Sequence, residues 1–184
     1  MKKIPLFDLK LSTAAKREVA GVMNSGWLST GPRVAAFEKK MTFLLKVPHA
    51  VAVSSGTAGL QLALQAIGVG PGREVITTPF TFVATIGAIM SLGARPVMAD
   101  ISPDTLNIDP DEVDRKFSEN TGGVVPVDIA GHPADYDRLL SICDQAATPL
   151  IADAAHSIGA TYRRLTIPNL ADGAVISFYA TKNL

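Results

Sequence analysis

Six short apolar runs begin roughly 25 residues apart, at 50–53, 74–77, 95–99, 123–127, 149–152 and 174–177. Helical patterns fill the gaps at 57–67, 82–92, 110–117 and 135–146. That rhythm belongs to strand–helix–strand units, which build a mostly parallel sheet. The runs are almost continuously apolar rather than alternating, as strands covered by helices on both faces must be. The expectation is an α/β fold of three layers, with helices on each side of one mostly parallel sheet.

The first part of the chain stands outside this rhythm. Ser12 is placed to cap a helix running through Met23, with Ala15, Val19 and Val22 on one face. A turn-rich break from Ser25 to Pro32 precedes a second helical pattern at 34–46. The expected division is an N-terminal helical arm over 1–48 and a sheet-bearing domain over 49–184. The sheet does not need the arm, which is free to pack on its outside or on a partner subunit.

Composition narrows the function classes. Seventeen basic residues balance seventeen acidic ones, and neither sign clusters, so no nucleic-acid or membrane surface is expected. Two stretches without Asp, Glu, Lys or Arg, between Lys46 and Arg73 and between Glu74 and Arg95, raise the question of a membrane span. Both are interrupted, the first by Ser54, Ser55, Gly56 and Gly59, the second by Thr77, Thr78, Pro79 and Thr81. Each reads better as strand, turn and helix. The start, Met1 to Pro5, has no apolar run behind its two lysines and does not resemble a secretory leader. Cys143, the single cysteine, has no partner for a disulfide, in keeping with a reducing cytoplasm, and reads as a small apolar residue of a helix.

Ligands of open α/β sheets bind where the carboxyl ends of strands meet helix N-termini. After the first run, Gly56, Thr57 and Ala58 offer amide donors and a hydroxyl at a helix start, suited to one phosphate monoester. No Walker lysine and no Gly-x-Gly-x-x-Gly pattern accompanies them, which disfavours ATP and dinucleotides. A purely structural turn fits the same residues. After the second run, Phe80 and Phe82 are either core or, for Phe82, a face on which a planar ring stacks. After the fifth, Asp153 is costly to bury alone and wants a cation or several donors, a protonated pyridine nitrogen among them, or else it caps a helix. His156 could then bond a ring oxygen or the substrate. A metal site built on the pair lacks ligands, since His49 and His132 lie on other elements. Ser177 ends the last run, and Lys182 follows on a short polar turn, suited to a Schiff base with an aldehyde although a lone lysine there is ordinarily a surface charge. Taken in this order, phosphate cradle, ring face, acid and amine point to pyridoxal 5′-phosphate.

The chain resembles the DegT/DnrJ/EryC1/StrS family of sugar aminotransferases, of the aspartate-aminotransferase-like class known as fold type I. The segments that carry the resemblance are SSGTAGLQLAL, EVITTPFTFVAT, DTLNIDP, PVDIAGHPAD, DAAHSIGA and SFYATKNL. The resemblance implies that Lys182 forms the Schiff base and is the catalytic proton carrier. It further implies that Asp153 holds the pyridine nitrogen, Phe82 stacks on the ring, His156 lies by the ring oxygen, and Gly56, Thr57 and Ser177 hold the phosphate. His156 stands where many members carry glutamine, and Asp128, where histidine is frequent, receives no role. Lys182 also argues against the family's sugar dehydratases, in which a histidine replaces that lysine. Implied substrates are a nucleotide-linked keto-sugar and glutamate or glutamine as amino donor, with a homodimer for the full-length enzyme.

Family members continue well beyond this lysine, whereas the sequence stops two residues after Lys182. The resemblance therefore implies a truncated large domain without its C-terminal part or the small domain. The isolated chain is expected to be poorly soluble or disordered at its end, and ineffective as an aminotransferase. The alternative is a catalytically silent remnant that binds cofactor weakly, or only a partner chain.

Overall fold

The computed structural model describes residues 10–182. The expectations for Met1 to Pro5 and for a fraying end at Asn183 and Leu184 fall outside the described residues. The described residues divide into two compact units, one of residues 53–178 and one formed by the N-terminal helices together with residues 179–182.

In the N-terminal unit, α1 (Thr13–Ser25) begins where Ser12 accepts a hydrogen bond from the Ala15 amide at 3.1 Å, as the sequence predicts. α1 buries no residue, so Val19 stays exposed. Trp27 Nε1 donates to the Thr30 carbonyl at 2.8 Å and closes the predicted break. α2 (Pro32–Leu45) follows, with proline in its first turn, and turns Met41 and Leu45 inward.

The second unit holds the sheet. Its elements are α3 (Gly56–Ala66), β1 (Glu74–Thr77), α4 (Val83–Ser91), β2 (Arg95–Met98), α5 (Pro110–Lys116), β3 (Thr121–Val125), α6 (Tyr136–Gln145), β4 (Ile151–Asp153), β5 (Thr161–Tyr162), β6 (Leu165–Thr166) and β7 (Gly173–Val175). β1 pairs in parallel with β2 on one side and β3 on the other, and β4 pairs in parallel with β7. Parallel bridges from Val124 to Leu150 and from Val127 to Asp153 carry the order on from β3 to β4. The spatial order is β2-β1-β3-β4-β7.

Neighbouring strand residues point to opposite faces. Ile76, Val124 and Ala152 join Val113, Tyr136, Leu139 and Cys143 in the core under α5 and α6. Val75, Val125, Ile151 and Val175 join Leu60, Leu64, Ala88 and Ile89 in the core under α3 and α4. These two cores make the three layers expected of the sequence. Cys143 is buried as predicted, and burial, with Asp144 and Asp172 adding to it, pushes its thiol up to about 12.

Two features correct the sequence reading. Residues 50–53 form no strand: Val51 is 79% exposed, and no strand among the described residues pairs with the segment. An apolar run becomes a strand only where a ladder partner satisfies its backbone. Conversely, the β5–β6 hairpin was not expected, because its turn places Arg163 and Arg164 at positive φ (47° and 72°), where glycine or asparagine would normally mark it.

α3 lies so close to β7 that a Cβ on Gly59 would sit 2.9 Å from Val175 Cγ1. Gly59→Val should therefore cost about 2 kcal/mol of stability through overpacking, read as a lower urea midpoint with unchanged slope.

Candidate functional site

The parallel strands all direct their carboxyl ends to the same edge of the sheet, and most of the predicted residues of the second unit lie there. Ser55 caps α3, its hydroxyl accepting from the Ala58 amide at 3.1 Å. That bond removes Ala58 from the expected donor set, because its amide is already used. Gly56 and Thr57 remain as first-turn amides that the cap does not use. Ser177, two residues past β7, lies against them: a Cβ on Gly56 would stand 3.6 Å from Ser177 Cβ and 3.8 Å from its Oγ. The structure thus brings Gly56, Thr57 and Ser177 together at one helix N-terminus, where backbone amides and the helix dipole favour an anion.

Asp153 closes β4 and is 5% exposed. Its Oδ2 accepts the Thr85 hydroxyl at 2.7 Å, and the Ala155 amide reaches Oδ1 at 3.3 Å. A carboxylate held this way is neither a helix cap nor a solvated charge. Phe82 is the N-cap residue of α4, one turn before Thr85, and is 71% exposed. The core reading of Phe82 is excluded; Phe80 is exposed as well. His156 is half-buried in the turn after β4. Gly131, at φ 83°, comes so near that a Cβ there would be 2.8 Å from the His156 carbonyl oxygen. Any side chain at 131 would push that turn away.

Asp128 received no role from the sequence, yet it is fully buried beside this turn. It accepts from Ser157 Oγ at 2.6 Å, the Ala134 amide at 3.0 Å and Tyr136 Oη at 3.1 Å, while its own amide donates to the Asp153 carbonyl at 3.2 Å. Burial raises the Asp128 carboxyl, the three donors pull it back, and the Asp153 charge raises it further. Lys182 belongs to the other unit, where it is half-buried and its amide donates to the Tyr179 carbonyl at 2.8 Å. A separate cleft of about 900 Å³ runs past Asn107, Asp111, His132, Arg138 and Tyr162 and contains none of the predicted residues. Its arginines are already engaged, Arg138 with Asp111 and Arg163 with Asp137.

The model of the DegT/DnrJ/EryC1/StrS aminotransferase family matches residues 10–184. The chain belongs to this family. Among curated relatives, the spore coat polysaccharide biosynthesis protein SpsC of Bacillus subtilis (strain 168) is 46% identical over 168 residues, which is 91% of this chain and 43% of SpsC. Among solved structures, the PLP form of Spr1654 from Streptococcus pneumoniae is 33% identical with a TM-score of 0.96, covering 100% of this chain and 50% of that one. DesV of S. venezuelae is 37% identical with a TM-score of 0.88, covering 92% and 46%. The family member in hand therefore spans about half the length of the relatives it matches. No helix among the described residues is long and apolar enough to cross a membrane.

Proposed function

We propose that this chain is the cofactor-binding part of a pyridoxal 5′-phosphate-dependent aminotransferase that moves an amino group from glutamate or glutamine to a nucleotide-linked keto-sugar. The observation that carries the reading is Asp153: a buried, hydrogen-bonded carboxylate at the end of a parallel strand, with the exposed Phe82 ring one helical turn from the hydroxyl that holds it. Spr1654 has been solved in both PLP and PMP forms, and DesI, 40% identical, in the presence of its TDP-sugar product. These relatives support the cofactor and the substrate class.

The residues present fit the cofactor. Gly56 leaves open the approach between the α3 N-terminus and Ser177, so amides and hydroxyls can converge on a phosphate. Phe82 offers an uncovered face to a planar ring. Asp153 can keep a ring nitrogen protonated, because a buried carboxylate is stabilised by a cation. When bound, the cofactor supplies an aldehyde for amine exchange and an electron-withdrawing ring. The chain's own part would be to hold the ring with Phe82 and Asp153, anchor the phosphate at Gly56, Thr57 and Ser177, and present Lys182. The Lys182 amine would hold the cofactor covalently and, when free, hold and move a proton. His156 would lie by the ring oxygen. The reading carries with it a homodimer, a cytoplasmic setting, and a division into a helical arm over 1–48 and part of the cofactor domain over 49–184.

Incubation of the full-length enzyme that contains this chain with pyridoxal 5′-phosphate, glutamate and a nucleotide-linked keto-sugar should yield the amino-sugar. Asp153→Ala should lower cofactor affinity by about 100-fold, since one partner of a buried charged contact is lost. Cofactor binding without any amino-sugar, across donors and keto-sugars, would favour the silent remnant instead.

A further inference from the structure

The Asp153 carboxylate does not stand alone on its strand. Thr85, 1% exposed, donates its hydroxyl proton to Asp153 Oδ2 at 2.7 Å. The Thr85 and Thr81 hydroxyl oxygens are 2.8 Å apart. An ionised carboxylate only accepts, and a threonine hydroxyl has one proton. Since Thr85 commits that proton to Asp153, Thr81 must be the donor in the Thr81–Thr85 bond. The two hydroxyls then form a one-way chain, Thr81 to Thr85 to Asp153, in which each bond polarises the next. Thr81 precedes the N-cap residue of α4, and from there its hydroxyl reaches Thr85 in the helix's first turn. Phe82 caps the same turn. The first turn of α4 therefore carries both the exposed ring and the lock on the acid.

We propose that Thr85, backed by Thr81, is a positioning residue that fixes the Asp153 carboxylate in one rotamer with Oδ2 occupied, so that the acid meets the cofactor's ring nitrogen in a single orientation. The proposal deepens the function reading above and rests on it. Without the Thr85 hydroxyl, Asp153 loses a charge-assisted bond and gains rotational freedom, so the ring loses its fixed partner.

The test measures, in the full-length protein that contains this chain, pyridoxal 5′-phosphate affinity and the circular dichroism of the bound cofactor, which reports a ring held in one chiral setting. Thr85→Val, which keeps the shape and removes the hydroxyl, should weaken cofactor binding about 10- to 100-fold, the loss of a hydrogen bond to a charged group. It should also diminish the dichroism of whatever cofactor remains bound. Thr85→Ser should restore both, and Thr81→Val should give a smaller loss in the same direction. If the unaltered protein fails to bind the cofactor, the function reading falls and this proposal with it. If the unaltered protein binds, Asp153→Ala does not, and Thr85→Val matches the unaltered protein in affinity and dichroism, the proposal alone is overturned. Should Thr85→Val fail to fold, Thr81→Val decides: reduced dichroism supports the hydroxyl chain, and an unchanged spectrum refutes it.

Discussion

In the full-length enzyme, replacing Lys182 by alanine should abolish the borohydride-reducible attachment of pyridoxal 5′-phosphate and lower turnover by about 10²–10⁴-fold, the usual contribution of a positioned proton carrier. Two functions are lost together, because one amine is assigned both the covalent link and the proton. Lys182→Arg should fare no better, although it keeps the charge. A guanidinium stays protonated at all accessible pH and is no nucleophile for an aldehyde. The comparison of the two variants separates nucleophilicity from charge, which a single alanine substitution cannot do. Intact-mass measurement after borohydride treatment checks the result, with the mass of one reduced cofactor expected on the unaltered protein alone. A reduced adduct that survives in Lys182→Ala would move the assignment to another lysine.

The layered core was readable because it obeys local rules. Apolar runs such as Val75-Ile76 and Ile151-Ala152 are continuous since each residue of a pair faces a different helical layer. The Ser12 cap gave the start of α1, while Asp135, at the head of the helical pattern at 135–146, proves to cap α6 through the Arg138 amide. Residues 50–53 have the same apolar chemistry as a strand, and only the absence of a pairing strand among the described residues distinguishes them. The β5–β6 turn hides for the opposite reason, since arginines occupy a conformation that carries no arginine signal.

The site was legible where its chemistry is local. A glycine-rich turn and an aspartate after an apolar run are visible in sequence. The partners that hold them are not. Thr85 and Asp153 are 68 positions apart, and Thr81 entered the sequence argument only as an interruption of an apolar stretch. Asp128 gave no local hint that a hydroxyl 29 residues away would close on it. Such residues become visible only once the β3 and β4 ends stand side by side.

Asp128 has the largest expected effect on stability. Three donors converge on its carboxylate, from Ala134, Tyr136 and Ser157, and all four residues are buried. Asp128→Ala leaves those donors unsatisfied and should cost about 4 kcal/mol, measured by urea denaturation. Asp128→Asn keeps one acceptor oxygen and should cost less. The pH dependence has a definite sign. Burial, the largest influence, raises the folded-state pKa of Asp128 above its unfolded value near 3.9, so the folded state binds the proton more tightly. The stability this group contributes is complete below the unfolded value and is lost as pH rises through the folded one. The unaltered protein should therefore exceed Asp128→Asn by more at pH near 4 than at about pH 7. A gap that widens toward neutral pH would mean that the three donors outweigh burial. Because the Asp128 carboxylate holds the hydroxyl of Ser157, the residue after His156, Asp128→Ala should loosen the turn that carries His156, and cofactor affinity should fall with the loss of stability.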